Sequence, residues 1–156
     1  MQIRPMTKMD LDAVTHVEEV CFSDAWSRKN FEDSLKEPSA HLLVTADEAS
    51  DEVIGYCCLY QALDEGEIVN VAIAPEYRQK GYGAAMVGAL MKLGRSLGAE
   101  SFYLEVRAGN TAGKRLYESI GFETCGIRKD FYSDPREDAV LMVWQEKLIC
   151  QKSPMY

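Results

Sequence analysis

Two stretches of this chain combine residue types and spacings suited to chemistry. The first, Arg78-Gln79-Lys80-Gly81-Tyr82-Gly83, stands at the mouth of a helical pattern. A helix start offers free N–H groups and a partial positive charge. Gly81 and Gly83 let the backbone approach a ligand with no Cβ between. Gln79, Lys80 and the neighbouring amides would then cradle a pyrophosphate. An ordinary glycine-rich turn into a helix suits the same residues equally well. A P-loop does not, because Gly-Lys-Ser/Thr is absent, and a dinucleotide fingerprint would need glycine where Met86 stands. The second stretch runs Leu104-Glu105-Val106-Arg107-Ala108-Gly109-Asn110 and resumes at Leu116-Tyr117-Glu118-Ser119-Ile120-Gly121-Phe122. It sets a carboxylate on a strand pattern and a phenol on the helix that follows. Together the two stretches suggest an enzyme that holds a phosphorylated carrier and moves a proton beside it. On residue type alone, Glu105 also suits a water-facing strand position, Tyr117 a core aromatic and Asn110 a helix cap.

The elements that must position these residues follow from periodicity. Residues 2–6 read as a strand, and Thr7 with Asp10 forms a capping box for a helix over 8–21 with Leu11, Val14, Val17 and Cys21 on one face. Ser27 caps a second helix over 28–36, which Pro38 ends. Strands are predicted at 41–47, 53–61 and 67–74, with turns at Glu48–Asp51 and at Asp64-Glu65-Gly66. From Gly81 to Leu97, Met86, Leu90, Leu93 and Leu97 repeat at helical spacing, and Gly98 stops the helix. A strand over 101–107 leads to a short helix capped by Asn110 and closed by Gly121. Strands near 122–132 and 138–147 flank the charged turn Ser133-Asp134-Pro135-Arg136-Glu137. The pattern describes a single α/β (α+β) domain over residues 1–149, with a central mixed sheet flanked by helices. A frayed tail is expected over 150–156.

Composition narrows the function. The 156 residues, 47% of them apolar, suit one core. With 17 basic and 25 acidic residues the net charge is −8, which argues against a general nucleic-acid binder. It favours solubility and is compatible with basic peptides or amines as partners. Cys21, Cys57, Cys58, Cys125 and Cys150 include no Cys-x-x-Cys pair, and His16 and His41 lie far apart, so no metal site is expected. Adjacent Cys57 and Cys58 would face opposite sides of a strand. Met1-Gln2-Ile3-Arg4-Pro5 is no signal peptide and no apolar run reaches membrane-span length, so a cytoplasmic protein with no membrane partner is expected.

The ordered combination of motifs resembles the GNAT superfamily of acetyl-CoA-dependent N-acetyltransferases. Arg78 to Gly83 matches its Arg/Gln-x-x-Gly-x-Gly/Ala pyrophosphate loop, and the element order matches along nearly the whole chain. Within the superfamily the chain is most similar to bacterial ribosomal-protein-alanine N-acetyltransferases of the RimI type. The segments that carry this are Phe22–Ser27, Asn70–Ile73, Leu104–Arg107 with Asn110, Leu116–Glu118, Gly121-Phe122 and Arg136–Ala139. The chain departs from the pattern at Gly109, where Ser is usual, at Gly113, where Ala is common, and at Phe131, where many members carry tyrosine.

The resemblance implies a GNAT acyl-CoA N-acyltransferase fold with a mostly antiparallel twisted sheet, and acetyl-CoA as co-substrate without a metal. Glu105 would act as base through water and Tyr117 as the acid facing the coenzyme sulfur. A phenol suits that donor role, with a reference pKa of about 10 against about 8.5 for a thiol. Val71, Ala72 and Ile73 would pair with the pantetheine arm as an added strand, and a backbone N–H near Val71 would polarise the thioester carbonyl. Gln79, Lys80, Gly81, Tyr82, Gly83 and Ala84 would hold the pyrophosphate, and Asn110 would touch the arm. Glu67 is a rival base and substrate contact. The peptide would lie between the Phe22–Ser27 loop and the Phe131–Asp138 hairpin, against Trp26 and Tyr132, with Asp134 and Glu137 among the carboxylates that greet a basic residue. The expected activity is acetylation of a protein N-terminal α-amine, the alanine of small-subunit ribosomal protein eighteen by resemblance. The alternatives are acetylation of lysine side chains or small amines, and a non-catalytic acyl-CoA-binding module.

Overall fold

The computed structural model describes residues 1–146. The chain forms β1 (Gln2–Pro5), α1 (Leu11–Cys21), α2 (Arg28–Lys36), β2 (Ala40–Ala46), β3 (Val53–Ala62), β4 (Glu65–Ile73), α3 (Tyr82–Ser96), β5 (Ser101–Arg107), α4 (Thr111–Ile120), β6 (Glu123–Tyr132) and β7 (Glu137–Gln145). Short 3₁₀ turns, Lys8–Asp10 and Pro75–Tyr77, precede α1 and α3. The expected tail from Cys150 and the domain limit at 149 lie outside the described residues.

Local chemistry accounts for most element ends. The Thr7 hydroxyl accepts from the Met9 N–H, and Asp10 accepts from the Thr7 N–H at 2.8 Å, which closes the expected capping box on the 3₁₀ turn. Buried Asp10 also takes two 2.8 Å bonds from Arg4, tying β1 to the start of α1. Ser27 and Asn30 form a second box at α2. Gly98 and Gly121 take φ of 106° and 113° after α3 and α4, a left-handed backbone that favours glycine.

Two expectations are corrected. The turn before β4 is Leu63-Asp64, and Glu65 and Gly66 already pair with Ala62 and Gln61. The buried stripe of α3 is Met86, Val87, Leu90, Met91 and Gly94, while Leu97 is exposed. Residues at i, i+1, i+4, i+5 and i+8 make a broader core face than the i, i+4, i+7 series implies.

Among the described residues seven strands lie in the order β1-β2-β3-β4-β5-β7-β6. Every pair is antiparallel except β4 with β5. Helices cover both faces. Leu11, Val14 and Val17 of α1 and Phe31 of α2 pack with Cys58 on one side, and the α3 stripe packs with Cys57 on the other. The adjacent cysteines therefore face opposite layers as expected.

The sheet has one break that matters for function. β4 and β5 pair only from Glu65↔Ser101 to Ile68↔Leu104. There β4 carries a bulge, since Cys58 pairs with Asn70 and Leu59 with Ile68, leaving Val69 without an opposite residue. β5 continues on β7 to Arg107. Beyond Ile68 the two central strands part, and among the described residues β4 from Val69 to Ile73 keeps only its β3 edge paired.

Close approach of α3 to the sheet depends on Gly94, where a Cβ would lie 2.7 Å from Phe102 Cε1 and 3.0 Å from Leu59 Cδ2. Gly94→Ala should cost about 1–3 kcal/mol through overpacking. Gly88 of the same helix is exposed with nothing within 4 Å of a Cβ, and Gly88→Ala should gain about 0.5–1 kcal/mol of helix propensity. Urea unfolding of both variants reads the contrast.

Candidate active site

The parting of β4 and β5 opens a cleft of ≈ 230 Å³. One wall is Ile68, Val69, Asn70 and Val71, and the facing wall is Leu104, Glu105, Val106 and Arg107. Trp26, Tyr117 and Tyr132 complete it. A larger groove of ≈ 1010 Å³ runs from Val71, Ala72 and Ile73 past Gln79, Gly81, Tyr82, Gly83 and Ala84 to α4. Phe22, Asp24, Val71, Arg107, Asn110 and Tyr117 line both spaces, so cleft and groove meet at those residues.

The groove suits a phosphorylated ligand with an extended arm. α3 begins at Tyr82 behind the N-cap residue Gly81, which has φ 84° and offers no side-chain cap, and the Ala85 N–H donates to Gly81 O. The N–H groups ahead of it have no partner within the helix. At Gly81 a Cβ would meet nothing within 4 Å, so the positive φ, and not space, calls for glycine. Gln79 also takes a positive φ, 63°. Alongside runs the edge of β4 that no described strand pairs; the Ile73 carbonyl there is taken by Arg78, and the other outward backbone groups seek partners. Arg78 is a strut here: its Nε donates to Ile73 O at 2.9 Å and its Nη2 lies 3.2 Å from Cys21 Sγ. Lys80 stands outside the groove lining, its Nζ 5.7 Å from the Tyr77 ring centroid.

Glu105 and Tyr117 face the same cleft from β5 and α4. Arg128 of β6 stands 3.4 Å from Glu105 Oε1. Burial raises the Tyr117 phenol well above its usual range, so it keeps its proton at neutral pH. Burial, and then the Glu105 charge, push Tyr132 up to about 12. Asn110 caps α4 by accepting from the Gly113 N–H at 2.8 Å. A Cβ at Gly113 would lie 2.6 Å from Asn110 Nδ2, so this chain's departure at 113 leaves room for that cap.

The peptide-side residues divide. Trp26 and Tyr132 line the cleft. Glu67 is exposed on the paired part of β4, between buried Gly66 and Ile68, and lines neither space. Asp134 contributes its carbonyl, which accepts from the Ser23 hydroxyl, and its side chain lines neither space. Glu137 lines the groove, but its oxygens are engaged by Arg107 Nη1 at 3.2 Å and by the Gly109 N–H. A Cβ at 109 would lie 2.7 Å from Glu137 Oε2, which gives the second departure a local reason.

Two residues of the site were missed by sequence reasoning. Arg107 organises the cleft mouth: it donates to Pro135 O at 2.9 Å and Ser133 O at 3.2 Å, lies 4.0 Å from Asp24, and stacks 4.4 Å from the Tyr132 ring centroid. It thereby joins the α1–α2 loop to the β6–β7 hairpin. Glu18 of α1 is 2% exposed, lines the cleft, and accepts from Trp26 N–H at 3.1 Å and Asn70 Nδ2 at 3.2 Å. Burial pushes its carboxyl up to about 7, against the two donated hydrogen bonds. A charged residue at helical spacing from Leu11 and Val14 was the available signal. Among the described residues no group of three or more His, Cys, Asp or Glu side chains converges as metal ligands would.

Comparison with known proteins identifies the family and the fold. Residues 11–122 match the model of the Acetyltransferase (GNAT) family. The chain is 32% identical over 142 residues to the [ribosomal protein bS18]-alanine N-acetyltransferase of Escherichia coli (strain K12), covering 90% of this chain and 94% of that one. It is 35% identical over 141 residues to a Bacillus subtilis (strain 168) protein provisionally named for the same activity, covering 90% and 92%. The crystal structure of the ribosomal-protein-S18-alanine N-acetyltransferase from Escherichia coli superposes with a TM-score of 0.85 at 30% identity, over 94% of each chain.

The raised Glu18 carboxyl has a stability consequence. Its pKa in the folded chain, about 7, lies above the ordinary 4.5. The stability held by its proton is full below pH 4.5 and is lost as pH rises through 7. Glu18→Gln, which cannot ionise, should gain melting temperature relative to the parent between pH 5 and 8, read by paired thermal melts (roughly the window of the shift).

Proposed function

The chain belongs to the GNAT acetyltransferase family, and on that premise we propose that it transfers acetyl from acetyl-CoA to a protein N-terminal α-amine, the alanine of ribosomal protein bS18 being the preferred target. The observation that carries this reading is the meeting of cleft and groove at Val71, Asn110 and Tyr117, with Glu105 on the cleft wall. The target is taken from relatives named for it that match nine-tenths of this chain.

The residues divide the work. The uncapped start of α3, from Gly81 to Ala84, receives the pyrophosphate by backbone donation. The open edge of β4 at Val71–Ile73 pairs with the pantetheine arm as a strand would, and brings the thioester to the junction. An N–H near Val71 polarises the carbonyl as it becomes an oxyanion. Glu105 accepts a proton from the attacking nitrogen through water. Tyr117, protonated at neutral pH, supplies the proton for the leaving sulfur. The peptide enters between Trp26 and Tyr132, under the two loops that Arg107 joins.

An α-amine is the easier acceptor. Its pKa is near 8, so about a tenth is neutral at pH 7, against about one in two thousand for lysine at 10.4. The acidic net charge of −8 suits a basic peptide.

Mass spectrometry of acetyl transfer to two peptides tests the reading. One begins Ala-Arg with a free amine and no lysine, and the other has a blocked N-terminus and one internal lysine. Acetylation of the first alone is expected. Acetylation of the second alone would make this a lysine enzyme, and transfer to neither would favour small amines or a non-catalytic acyl-CoA-binding module. With the first peptide, Glu105→Gln and Tyr117→Phe should each lower kcat about 10²–10⁴-fold while leaving coenzyme binding near the parent value.

A further inference from the structure

A primary ammonium that becomes an amide loses two protons, one before it can attack and one after the N–C bond has formed. The assignments above account for the second proton only. The cleft holds another carboxylate, on α1, that those assignments leave unused. Glu18 is 2% exposed, and both of its donors, Trp26 N–H and Asn70 Nδ2, fall on Oε1. Its Oε2 is buried with no hydrogen-bond partner among the described residues. A half-satisfied buried carboxylate is costly to keep. This one lines a cleft whose facing wall carries Glu105.

We propose that Glu18 takes the first proton from the incoming ammonium, freeing the nitrogen lone pair, and that Glu105 takes the second. The assignment rests on the acetyl-transfer reading above. The balance closes. The ammonium N–H breaks and its proton goes to the Glu18 carboxylate. The nitrogen lone pair then forms the N–C bond while the carbonyl π pair moves to oxygen. A second N–H proton leaves toward Glu105, the oxygen pair returns to re-form the C=O bond as the C–S pair leaves on sulfur, and the sulfur takes the Tyr117 proton. The proton held by Glu105 restores the phenol, the Glu18 proton goes to solvent, and the products are amide, thiol and one proton.

The energetics favour this division. With an amine near pKa 8, transfer to an ordinary carboxylate near 4.3 is uphill about five-thousandfold. Transfer to a group held near 7 is uphill only about tenfold. The charged and titratable groups around Glu18 are Cys21 on its own helix, Asp24 on the following loop, Glu105 and Arg107 on β5, Tyr117 on α4 and Tyr132 on β6. Asp24 opposes ionisation of Glu18 and acts in the same direction as burial.

The test compares kcat/KM against pH for the parent, Glu18→Gln and Glu105→Gln. It uses an alanine-initiated peptide and its 3,3,3-trifluoroalanine counterpart, whose weakly basic amine is already neutral. Glu18→Gln should lose at least about tenfold with the alanine peptide at neutral pH. That loss should shrink with the fluorinated peptide and above the amine pKa, whereas the Glu105→Gln loss should persist in both. In the parent, the acid limb near pH 7 (the position of the raised carboxyl) should vanish with the fluorinated peptide, a readout independent of how the variant folds. An equal Glu18→Gln loss on both peptides at every pH would reduce Glu18 to a structural residue, and a parent limb that survives fluorination would overturn the assignment. Parent enzyme inactive on both peptides would instead sink the α-amine reading itself, and this assignment with it.

Discussion

Two parallel strands that pair for four residues and then separate set the rest of the site. β4 and β5 share a ladder to Ile68↔Leu104, and the bulge at Val69 turns β4 away. Backbone donors and acceptors that would have been shared across a central pair are left facing a gap. Such groups are rarely left without partners, so the gap has the chemistry to accept an extended polar chain. The same separation lets side chains from α1, β5, α4 and β6 reach one space. Neither effect survives a straight β4, because a continued ladder would fill the cleft with paired backbone.

Charge inside the cleft is arranged by burial and by single cationic partners. Glu105 has Arg128 beside it, whereas among the described residues Glu18 has only two neutral donors on one oxygen. Two glutamates in one cleft thus meet different environments, and different environments give carboxylates different chemistry. Arg107 spends its donors on carbonyls of the β6–β7 hairpin and on Glu137, and presents its face to Tyr132. The mouth of the cleft is therefore held by a half-buried residue at the end of a strand, and Glu137 near it is engaged in holding the structure.

The element order and most caps could be read from the sequence, because they depend on neighbours. Thr7 with Asp10, Ser27 with Asn30, Asn110 and Gly121 each act within a few residues of themselves. The α3 stripe was misplaced because spacing alone does not tell a broad core face from a narrow one. The turn before β4 was placed late because Gly66 resembles a turn residue, whereas its bareness serves close packing against Leu59 and Phe102. Glu18 and Arg107 escape a local reading because Asn70 lies 52 residues from Glu18 and the hairpin partners of Arg107 lie 26–30 residues away. Glu137 could be read as acidic but not as already engaged, and Glu67 as a carboxylate on the central strand but not as lying on its paired, exposed part.

The central claim is that the open edge of β4 receives the coenzyme arm and brings the acyl group to the Glu105–Tyr117 junction. Residue-resolved hydrogen–deuterium exchange with and without saturating acetyl-CoA tests it most directly. At least one amide among Val71, Ala72 and Ile73 should slow by about tenfold or more as it gains a partner, together with amides at the start of α3. Protection confined to the start of α3, with the Val71–Ile73 amides unchanged at saturation, would contradict the account.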